Sequence, residues 1–458
     1  MNDTICALAT ATGGALGIIR VSGPQAFDVV SHICSVNCAD CVANTVHYTH
    51  IISPLPLEGS GVAQVIDEVM VSVFKAPRSY TGEDAVEISC HGSRYILNKV
   101  LELLIQNGCR MANPGEFTQR AYLNGKMDLS QAEAVADLIA STNKATHQMA
   151  MNQLRGNFSG ELAQLREQLL KLTSLLELEL DFSDHEDLEF ANRDELLELA
   201  KKIDNRITSL AHSFETGQVI KQGIPVAIVG KTNVGKSTLL NQLLKDDRAI
   251  VSNYHGTTRD TIEDTIDING ITFRFIDTAG IRQTVDEIEQ IGIKRTYQAI
   301  DKARIVLWMI DSEPSIKETE DITQRVKDKS LIIIINKIDK NGNESLPSLS
   351  QLNSPIIRIA AKYGQGINML EQAIYTAANI PHLAETDVIV SNARHYDALV
   401  HAQESIQRVV MGMEQQIPGD LLAEDLRLTI NHLAEITGGQ ITPNEVLENI
   451  FKHFCVGK

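Results

Sequence analysis

The sequence predicts a fold of mixed class, α/β plus all-α, in which an α/β domain interrupts a helical one. Strand-like and helical segments alternate in residues 1–122 and again in 218–380. Residues 123–217 lack proline and contain few glycines, and their leucines recur every three or four positions, which indicates long amphipathic helices. Helical spacing returns in residues 381–458.

The first 122 residues are expected to form an α/β domain. Apolar, strand-like runs occur at Leu16–Val21, Glu68–Phe74 and Val86–Cys90. The segment Arg94–Asn107 has its apolar residues on one side of a helix. A sheet covered by helices is therefore predicted here.

The two helical segments, 123–217 and 381–458, are expected to pack as one domain. Insertions favour exposed loop tips, and the ends of a domain lie close together, so 218–380 is interpreted as an insertion. Helices are predicted at Ala393–Gln415 and Leu421–Thr437. A leucine stripe in the first segment is predicted to be helix core; it comprises Leu162, Leu165, Leu169, Leu172 and Leu176.

The inserted segment begins with a pattern that binds phosphate. An apolar strand precedes Gly230-x-x-x-x-Gly235-Lys236-Ser237, and a helical run follows. The glycines let backbone N–H groups converge on a phosphate, Lys236 reaches the β and γ oxygens, and the Ser237 hydroxyl can bind Mg²⁺. Further contacts to the nucleotide are expected from Asn233, Val234 and Thr238.

Two later motifs complete this site. Asp277-Thr278-Ala279-Gly280 follows the predicted strand Ile271–Ile276, and Asn336-Lys-Ile-Asp339 follows Leu331–Ile335. Open α/β sheets bind ligands at the ends of their strands, so the three motifs are expected to meet around one nucleotide. A Ras-like P-loop GTPase domain is the predicted fold.

The third motif identifies the base. Asp339 can accept hydrogen bonds from the ring N–H and the exocyclic amine of guanine, a pair that adenine does not offer. Asn336 supports the same loop, and Lys337 can lie over the ring. The predicted nucleotide is GTP. Most GTPases of this type carry Ser-Ala-Lys as a further loop on the base side, where this chain has Ala360-Ala-Lys362.

The segment between these motifs predicts a switch. In Gly256-Thr-Thr-Arg-Asp260, Thr258 is expected to bind Mg²⁺ and the γ-phosphate. Ras-like enzymes orient water with a glutamine after the switch glycine, where this chain has Ile281. Another group must therefore orient water, for which the acidic run Asp286–Glu289 offers candidates. Asn233 could bind a monovalent cation that supplies the missing positive charge.

Composition limits the other possibilities. The chain has 458 residues, with 41 Lys and Arg against 59 Asp and Glu, for a net charge of −18. About three domains are expected, and a long basic groove for RNA is not. No apolar run approaches the ~20 residues that cross a bilayer, and the N-terminus does not resemble a signal peptide. Seven cysteines in this length fit a reducing cytoplasm, the predicted location.

Motifs along nearly the whole chain resemble the MnmE family, also called TrmE, of bacterial tRNA modification GTPases. The C-terminal tetrapeptide is among the most specific, because generic GTPases have nothing like it. Besides the GTPase motifs, the resemblance is carried by Asp3-Thr-Ile, Gly17-Ile-Ile-Arg-Val-Ser-Gly23, Tyr80-Thr-Gly-Glu-Asp84, His91-Gly92, Pro114-Gly-Glu-Phe117, Leu129-Ser-Gln-Ala-Glu133, Asn431-His-Leu-Ala-Glu-Ile-Thr-Gly438 and Cys455-Val-Gly-Lys458.

The resemblance implies a specific activity. In this family the N-terminal domain is similar to tetrahydrofolate-binding domains and forms a constitutive homodimer. The GTPase domains pair when potassium and GTP are bound. With the FAD-containing partner MnmG (GidA), in a heterotetramer, the protein adds an aminomethyl-type group to carbon five of the wobble uridine of certain tRNAs. A formyl-tetrahydrofolate or a related folate is the implied cofactor, and tRNA is bound largely through the partner.

The resemblance also assigns roles to residues. The implied folate ligands are Arg20, Glu87, Lys126 and Lys458; the potassium ligands are Asn233, Ser252, Tyr254 and Thr257; Thr257 also joins the GTP contacts together with Ser252. Glu289 corresponds to the water-orienting glutamate, Lys236 acts on the phosphates, and Cys455 serves the modification reaction. The glycine-rich segment near Thr12-Gly-Gly14 is shorter than is usual in the family.

A second class of function stays open at this point. A regulatory GTP switch in ribosome assembly would use the same nucleotide motifs without serving a modification. Such factors usually carry a basic RNA-binding module or a second GTPase domain, and this sequence shows neither.

Overall fold

The structure is a computed structural model. It describes residues 3–56, 63–181, 193–245, 264–276, 297–341, 349, 352–380, 387–439, 447, 450–452, 454 and 457. The chain divides into two compact units. The first unit comprises Met1–Ala140, Ala150–Ile207 and Asp397–Lys458, and the second comprises Ser141–Met149 and Thr208–Tyr396.

The described strands and helices are numbered in chain order. The strands are β1 (Ile5–Leu8), β2 (Leu16–Ser22), β3 (Thr45–Pro56), β4 (Ala63–Phe74), β5 (Ala85–His91), β6 (Arg110–Met111), β7 (Ile224–Val229), β8 (Asp264–Ile268), β9 (Ile271–Phe275), β10 (Ile305–Ile310), β11 (Ser330–Ile335) and β12 (Ile356–Arg358). The helices are α1 (Ala26–Ile33), α2 (Arg94–Gln106), α3 (Glu116–Leu123), α4 (Leu129–Ala140), α5 (Lys144–Leu154), α6 (Asn157–Asp181), α7 (Arg193–Gln222), α8 (Lys236–Lys245), α9 (Ile316–Arg325), α10 (Ile338–Asn341), α11 (Ile367–Ala377), α12 (Ala393–Glu414) and α13 (Gly419–Thr437).

The first unit contains a six-stranded sheet in the order β3-β4-β5-β2-β1-β6. Its strand pairs are antiparallel except for β1 with β6. Alternating buried residues of the strands, such as Val71 and Ile88, share a core with residues of α1 and α2, such as Val30 and Leu104. The predicted α/β character of this region is confirmed. The strands β1, β3 and β6 and the helices α1 and α3 were not among the elements predicted for this region.

Within the first unit, helices that precede the segment Thr208–Tyr396 in sequence pack against helices that follow it. Helix α13 packs against α6 and α4, and Arg427 of α13 forms an ion pair of 2.8 Å with Glu177 of α6. Helix α12 is joined to α13 by an ion pair of 2.7 Å between Arg408 and Asp425. The leucine stripe of α6 is buried at every predicted position, so its assignment to the helix core is confirmed.

The second unit is built on a sheet in the order β12-β11-β10-β7-β9-β8. All neighbouring pairs are parallel except β8 with β9. These two strands meet at the predicted Asn269-Gly270 turn, whose φ angles of +55° and +83° fit a tight hairpin. Every residue of the central strand β10 is buried, including Trp308, the only tryptophan of the chain. Helical residues pack on both faces of the sheet.

No helix within the described ranges is both long and apolar enough to span a membrane.

A buried arginine holds three segments of the first unit together. Arg120 of α3 has a side chain only 1% exposed. It donates to both carboxylate oxygens of Glu83, to the backbone and carboxylate of Asp3, and to Glu116, all at 2.8–3.3 Å. Arg110 supplies a second positive charge to Asp3 and Glu116. Several of the sequence motifs listed above therefore meet in one ionic network.

The charges of this network set the protonation of its carboxylates. Burial raises the pKa of Glu116, but hydrogen bonds from Arg110, the Asn113 amide and Arg120 bring it below its usual value. Hydrogen bonding to Arg110 lowers the pKa of Asp3. Because both pKa values are lowered in the folded state, the stabilisation is present above the ordinary carboxylate range and is lost as the pH falls through the folded values.

Replacing Arg120 by Met is expected to destabilise the first unit by about 3–5 kcal/mol, because the buried Glu116 carboxylate would lose a charge partner. The matched control is Arg427→Met in the same unit. It breaks the ion pair with Glu177, in which the Arg427 side chain is 62% exposed. That change should cost less than about 1 kcal/mol. Urea unfolding followed by circular dichroism measures both effects.

Trp308 fluorescence provides an internal reference in the same experiment, because Trp308 lies in the second unit. An Arg120→Met protein whose dichroism midpoint matches that of Arg427→Met would contradict the structural role given to the network.

Candidate functional site

The loop between β7 and α8 has a backbone that requires its glycines. Gly230 and Gly235 have φ angles of +148° and +106°, a region that side chains disfavour. A Cβ atom at Gly230 would overlap the Met309 carbonyl oxygen, and one at Gly235 would overlap the Asn336 side-chain amide. The loop is thus folded tightly against β10 and the segment after β11.

Lys236 begins α8 and reaches back over the loop. Its Nζ donates to the carbonyl oxygens of Gly230 and Lys231, at 2.6 and 2.7 Å. Burial lowers the pKa of this ammonium group. Ser237 and Thr238 follow in the first turn of the helix, while Val234 is buried beneath the loop. The predicted phosphate-contacting side chains therefore gather at one helix N-terminus, where anions are favoured.

Asn336 links this loop to the base side of the site. Its side chain is buried, and its Nδ2 donates to the Val234 carbonyl at 2.7 Å. Its Oδ1 accepts from the Ala361 amide at 3.0 Å. One side-chain amide thus joins the phosphate loop to the Ala360-Ala-Lys362 segment, as the sequence predicts for a residue that supports the loop.

Lys337 makes a second connection. Its Nζ donates to the carbonyl oxygen of Asn233 at 2.8 Å and to Asp311 Oδ2 at 2.6 Å. Lys337 and Asn233 both have left-handed backbone angles, with φ of +64° and +62°. Asp339 lies in the first turn of α10 with its side chain exposed, open to a ligand. Sequence reasoning missed Asp311, although a carboxylate directly after an apolar strand was a usable signal.

The sheet topology brings these motifs together. Strands β7, β10 and β11 are neighbours and run parallel, with Trp308 of β10 opposite both Val229 and Ile333. The segments that follow them therefore emerge at one edge of the sheet, where α/β proteins bind ligands.

Several predicted site residues lie outside the described residues, namely Ser252, Tyr254, Thr257, Thr258, Asp277, Thr278, Ala279, Gly280, Glu289, Cys455 and Lys458.

The first unit contains a cavity of about 60 Å³. Arg20 of β2 and Glu87 of β5 are register partners on adjacent strands, and the Arg20 Nε donates to Glu87 Oε1 at 2.8 Å. Burial raises the pKa of Tyr80, whose ring lies 5.5 Å from the Arg20 guanidinium carbon. The lining residues are Arg20, Ser22, Phe74, Tyr80, Thr81, Ala85 and Glu87.

The predicted ligands of this region are only partly brought together. Arg20 and Glu87 share the cavity wall, whereas Lys126 is directed to the carbonyl oxygen of Pro77, at 2.9 Å, and does not line the cavity. The C-terminal tail also reaches the site, because Arg20 Nη1 donates to the carbonyl oxygen of Gly457 at 3.1 Å. The contact between Arg20 and the Gly457 carbonyl oxygen was not predicted from the sequence.

A phosphate loop followed, two strands away on the same sheet edge, by an Asn-Lys-x-Asp segment is the arrangement of the P-loop GTPases. The second unit belongs to that class. The α/β region of the first unit and its packed helices α4, α6 and α13 are the other two kinds of structure that the sequence predicts.

Comparison with known proteins identifies the family. The family model "GTP-binding protein TrmE N-terminus" matches residues 4–126, and "MnmE helical domain" matches residues 129–455. The tRNA modification GTPase MnmE of Phocaeicola vulgatus is 53% identical over 494 residues, covering 100% of this chain and 99% of that protein. The Bacteroides thetaiotaomicron protein of the same name is 54% identical over 468 residues, with the same coverage. The chain therefore belongs to the MnmE family of tRNA modification GTPases, and the resemblance seen in the sequence is confirmed.

A solved structure of the G domain of the T. maritima FeoB iron transporter is also similar. It is 23% identical, covers 34% of this chain and 99% of that one, and has a TM-score of 0.26.

The Asn336→Ala variant is expected to lose about 2–4 kcal/mol of stability in the nucleotide-free protein, because the Val234 carbonyl and the Ala361 amide would both lose a buried partner. Thermal or urea unfolding followed by Trp308 fluorescence reports on this unit. The control is Asp339→Ala in the same motif, whose exposed side chain should change stability by no more than about 0.5 kcal/mol. Equal stability of the two variants would refute the linking role of Asn336.

Proposed function

We propose that this protein is a potassium-dependent GTPase that acts with the FAD-containing MnmG (GidA) to modify carbon five of the wobble uridine in certain tRNAs. The observation that carries the proposal is the GTPase site, with its phosphate loop braced by Asn336, in a chain that matches tRNA modification GTPases over its full length. A homodimer, a heterotetramer with MnmG and a cytoplasmic location belong to the same proposal. So do the domain boundaries 1–122, 123–217, 218–380 and 381–458.

GTP and Mg²⁺ are assigned to the second unit. The loop amides and Lys236 would hold the phosphates, Ser237 and Thr258 would bind Mg²⁺, and Asp339 would pair with guanine. Asp339 is exposed and Asn336 is buried, which supports assigning base contact to Asp339 and support of the loops to Asn336. Asn336 supports the site from below, whereas Asp339 is accessible to a base. Asp277 through Gly280 would complete the γ-phosphate side.

Potassium is assigned to Asn233, with Ser252, Tyr254 and Thr257 as further ligands. Asn233 occupies a left-handed backbone position, and its carbonyl oxygen is held by Lys337. With the backbone of Asn233 held in place, its side-chain oxygen would bind a cation next to the phosphates. The cation would supply the positive charge that other GTPases take from an arginine finger, while Glu289 would orient the attacking water.

A folate is assigned to the cavity of the first unit. The Arg20 guanidinium and the Glu87 carboxylate offer donors and an acceptor side by side, which suits the polar edge of a pterin-type ring. A cavity of about 60 Å³ holds only part of a folate, so the rest of the molecule would lie outside it. Lys126 and Lys458 remain proposed ligands for that outer part.

Potassium dependence is tested by comparing GTP turnover in KCl and NaCl at equal ionic strength. We expect much faster turnover in KCl, since the charge of an arginine finger is worth about 10³–10⁵ in rate. Asn233→Ala should abolish the difference between the salts. Equal rates of the wild-type enzyme in both salts would exclude this role for potassium.

The tRNA function is tested by nucleoside analysis of tRNA from cells that lack the gene. Loss of the modified wobble uridine is expected, whereas unaltered tRNA would favour the alternative, a regulatory switch in ribosome assembly. Complementation with Cys455→Ser should restore potassium-stimulated GTPase activity but not full modification. A fully modified tRNA pool in that strain would show that the thiol is dispensable.

A further inference from the structure

Asp311 occupies the position between the two halves of the nucleotide site. It directly follows β10, the strand that lies between β7, which leads into the phosphate loop, and β11, which leads into Asn336. The Asn336 amide donates to the Ile310 carbonyl at 2.8 Å. The Asp311 carboxylate is therefore placed beside both motifs by the sheet itself.

Asp311 holds the side chain of Lys337. Its Oδ2 lies 2.6 Å from the Lys337 Nζ, and both side chains are about 30% exposed, at 29% and 32%. The same ammonium group donates to the Asn233 carbonyl oxygen at 2.8 Å. Lys337 is thus fixed between a carboxylate on a rigid strand end and the backbone of the phosphate loop.

The backbone at both ends of this connection is unfavourable without support. Asn233 and Lys337 are non-glycine residues with positive φ angles, a conformation that persists where surrounding contacts impose it. The Lys337 ammonium contacts both segments, and Asp311 determines where that ammonium lies. Removing the Asp311 charge would leave Lys337 with fewer constraints and Asn233 with a weaker hold on its backbone.

We propose that Asp311 is a positioning residue that acts through Lys337 on Asn233, and so sets both the guanine nucleotide affinity and the potassium requirement of the enzyme. The potassium part rests on the function proposed above, whereas the affinity part needs only a nucleotide in the loop. Asp311 touches neither ligand in this scheme. It connects the base side of the site with the cation side.

The test compares Asp311→Asn with Asp321→Asn, which removes the same charge from an ion pair with Arg325 on α9. The measurements are the dissociation constant of fluorescently labelled GDP in sodium buffer and the potassium concentration for half-maximal GTP turnover. Asp311→Asn should raise the first about tenfold, as expected for one charge-assisted hydrogen bond, and the second several-fold. Asp321→Asn should change neither.

A double-mutant cycle with Lys337→Met shows whether Asp311 acts through that lysine. If it does, Asp311→Asn adds nothing in the Lys337→Met background, so the two effects are not additive. Additive losses would overturn the proposed connection. Trp308 fluorescence checks that each variant is folded. If Asp311→Asn does not fold, Asp311→Glu takes its place. That change keeps the charge but displaces it, so it should raise the GDP dissociation constant by less than about tenfold.

The outcomes separate this inference from the proposed function. Unchanged GDP affinity and unchanged potassium requirement in Asp311→Asn, with a wild-type enzyme that responds to potassium, would refute the inference alone. A wild-type enzyme that turns over equally in both salts would refute the potassium role, and the GDP measurement would still decide whether Asp311 positions the site.

Discussion

The nucleotide site depends on one buried amide, the side chain of Asn336. A side-chain amide donates and accepts through separate atoms, and here each atom is used. Nδ2 holds the Val234 carbonyl of the phosphate loop, and Oδ1 holds the Ala361 amide of the base-side segment. A carboxylate could not donate to Val234, and an aliphatic group could do neither. The relative positions of two loops that are distant in sequence thus follow from one residue.

The first unit uses charge for the same purpose. Arg120 donates through Nη1 and Nη2, from a nearly inaccessible position, to the segments around Asp3, Glu83 and Glu116. The Ser22 hydroxyl, in the wall of the neighbouring cavity, donates to the same Glu83. The cavity that contains Arg20 is therefore built on a network whose charges are compensated by one another.

Sequence patterns were sufficient where a short segment fixes its own geometry. The phosphate loop, the Asn269-Gly270 hairpin and the leucine stripe of α6 were all predicted, because spacing and special backbone angles are local properties. Patterns were insufficient where partners come from distant segments. The connection between Asp311 and Lys337 and the contact between Arg20 and Gly457 depend on strand order and on the path of the tail, which local periodicity does not encode.

The contact between Arg20 and Gly457 joins residues 437 positions apart in the chain. The ion pair between Arg427 and Glu177 spans 250 positions. During synthesis, the sheet of the first unit emerges from the ribosome long before helix α13 and the residue Gly457 that contacts Arg20. The described strands of the second unit lie between residues 224 and 358, so they are all synthesised before α13 and Gly457. Domains generally fold as units during translation. The interrupted order of the chain therefore delays completion of the first unit until Gly457 is made. A product that stops before Gly457 contains every described strand of the second unit but lacks this contact to Arg20.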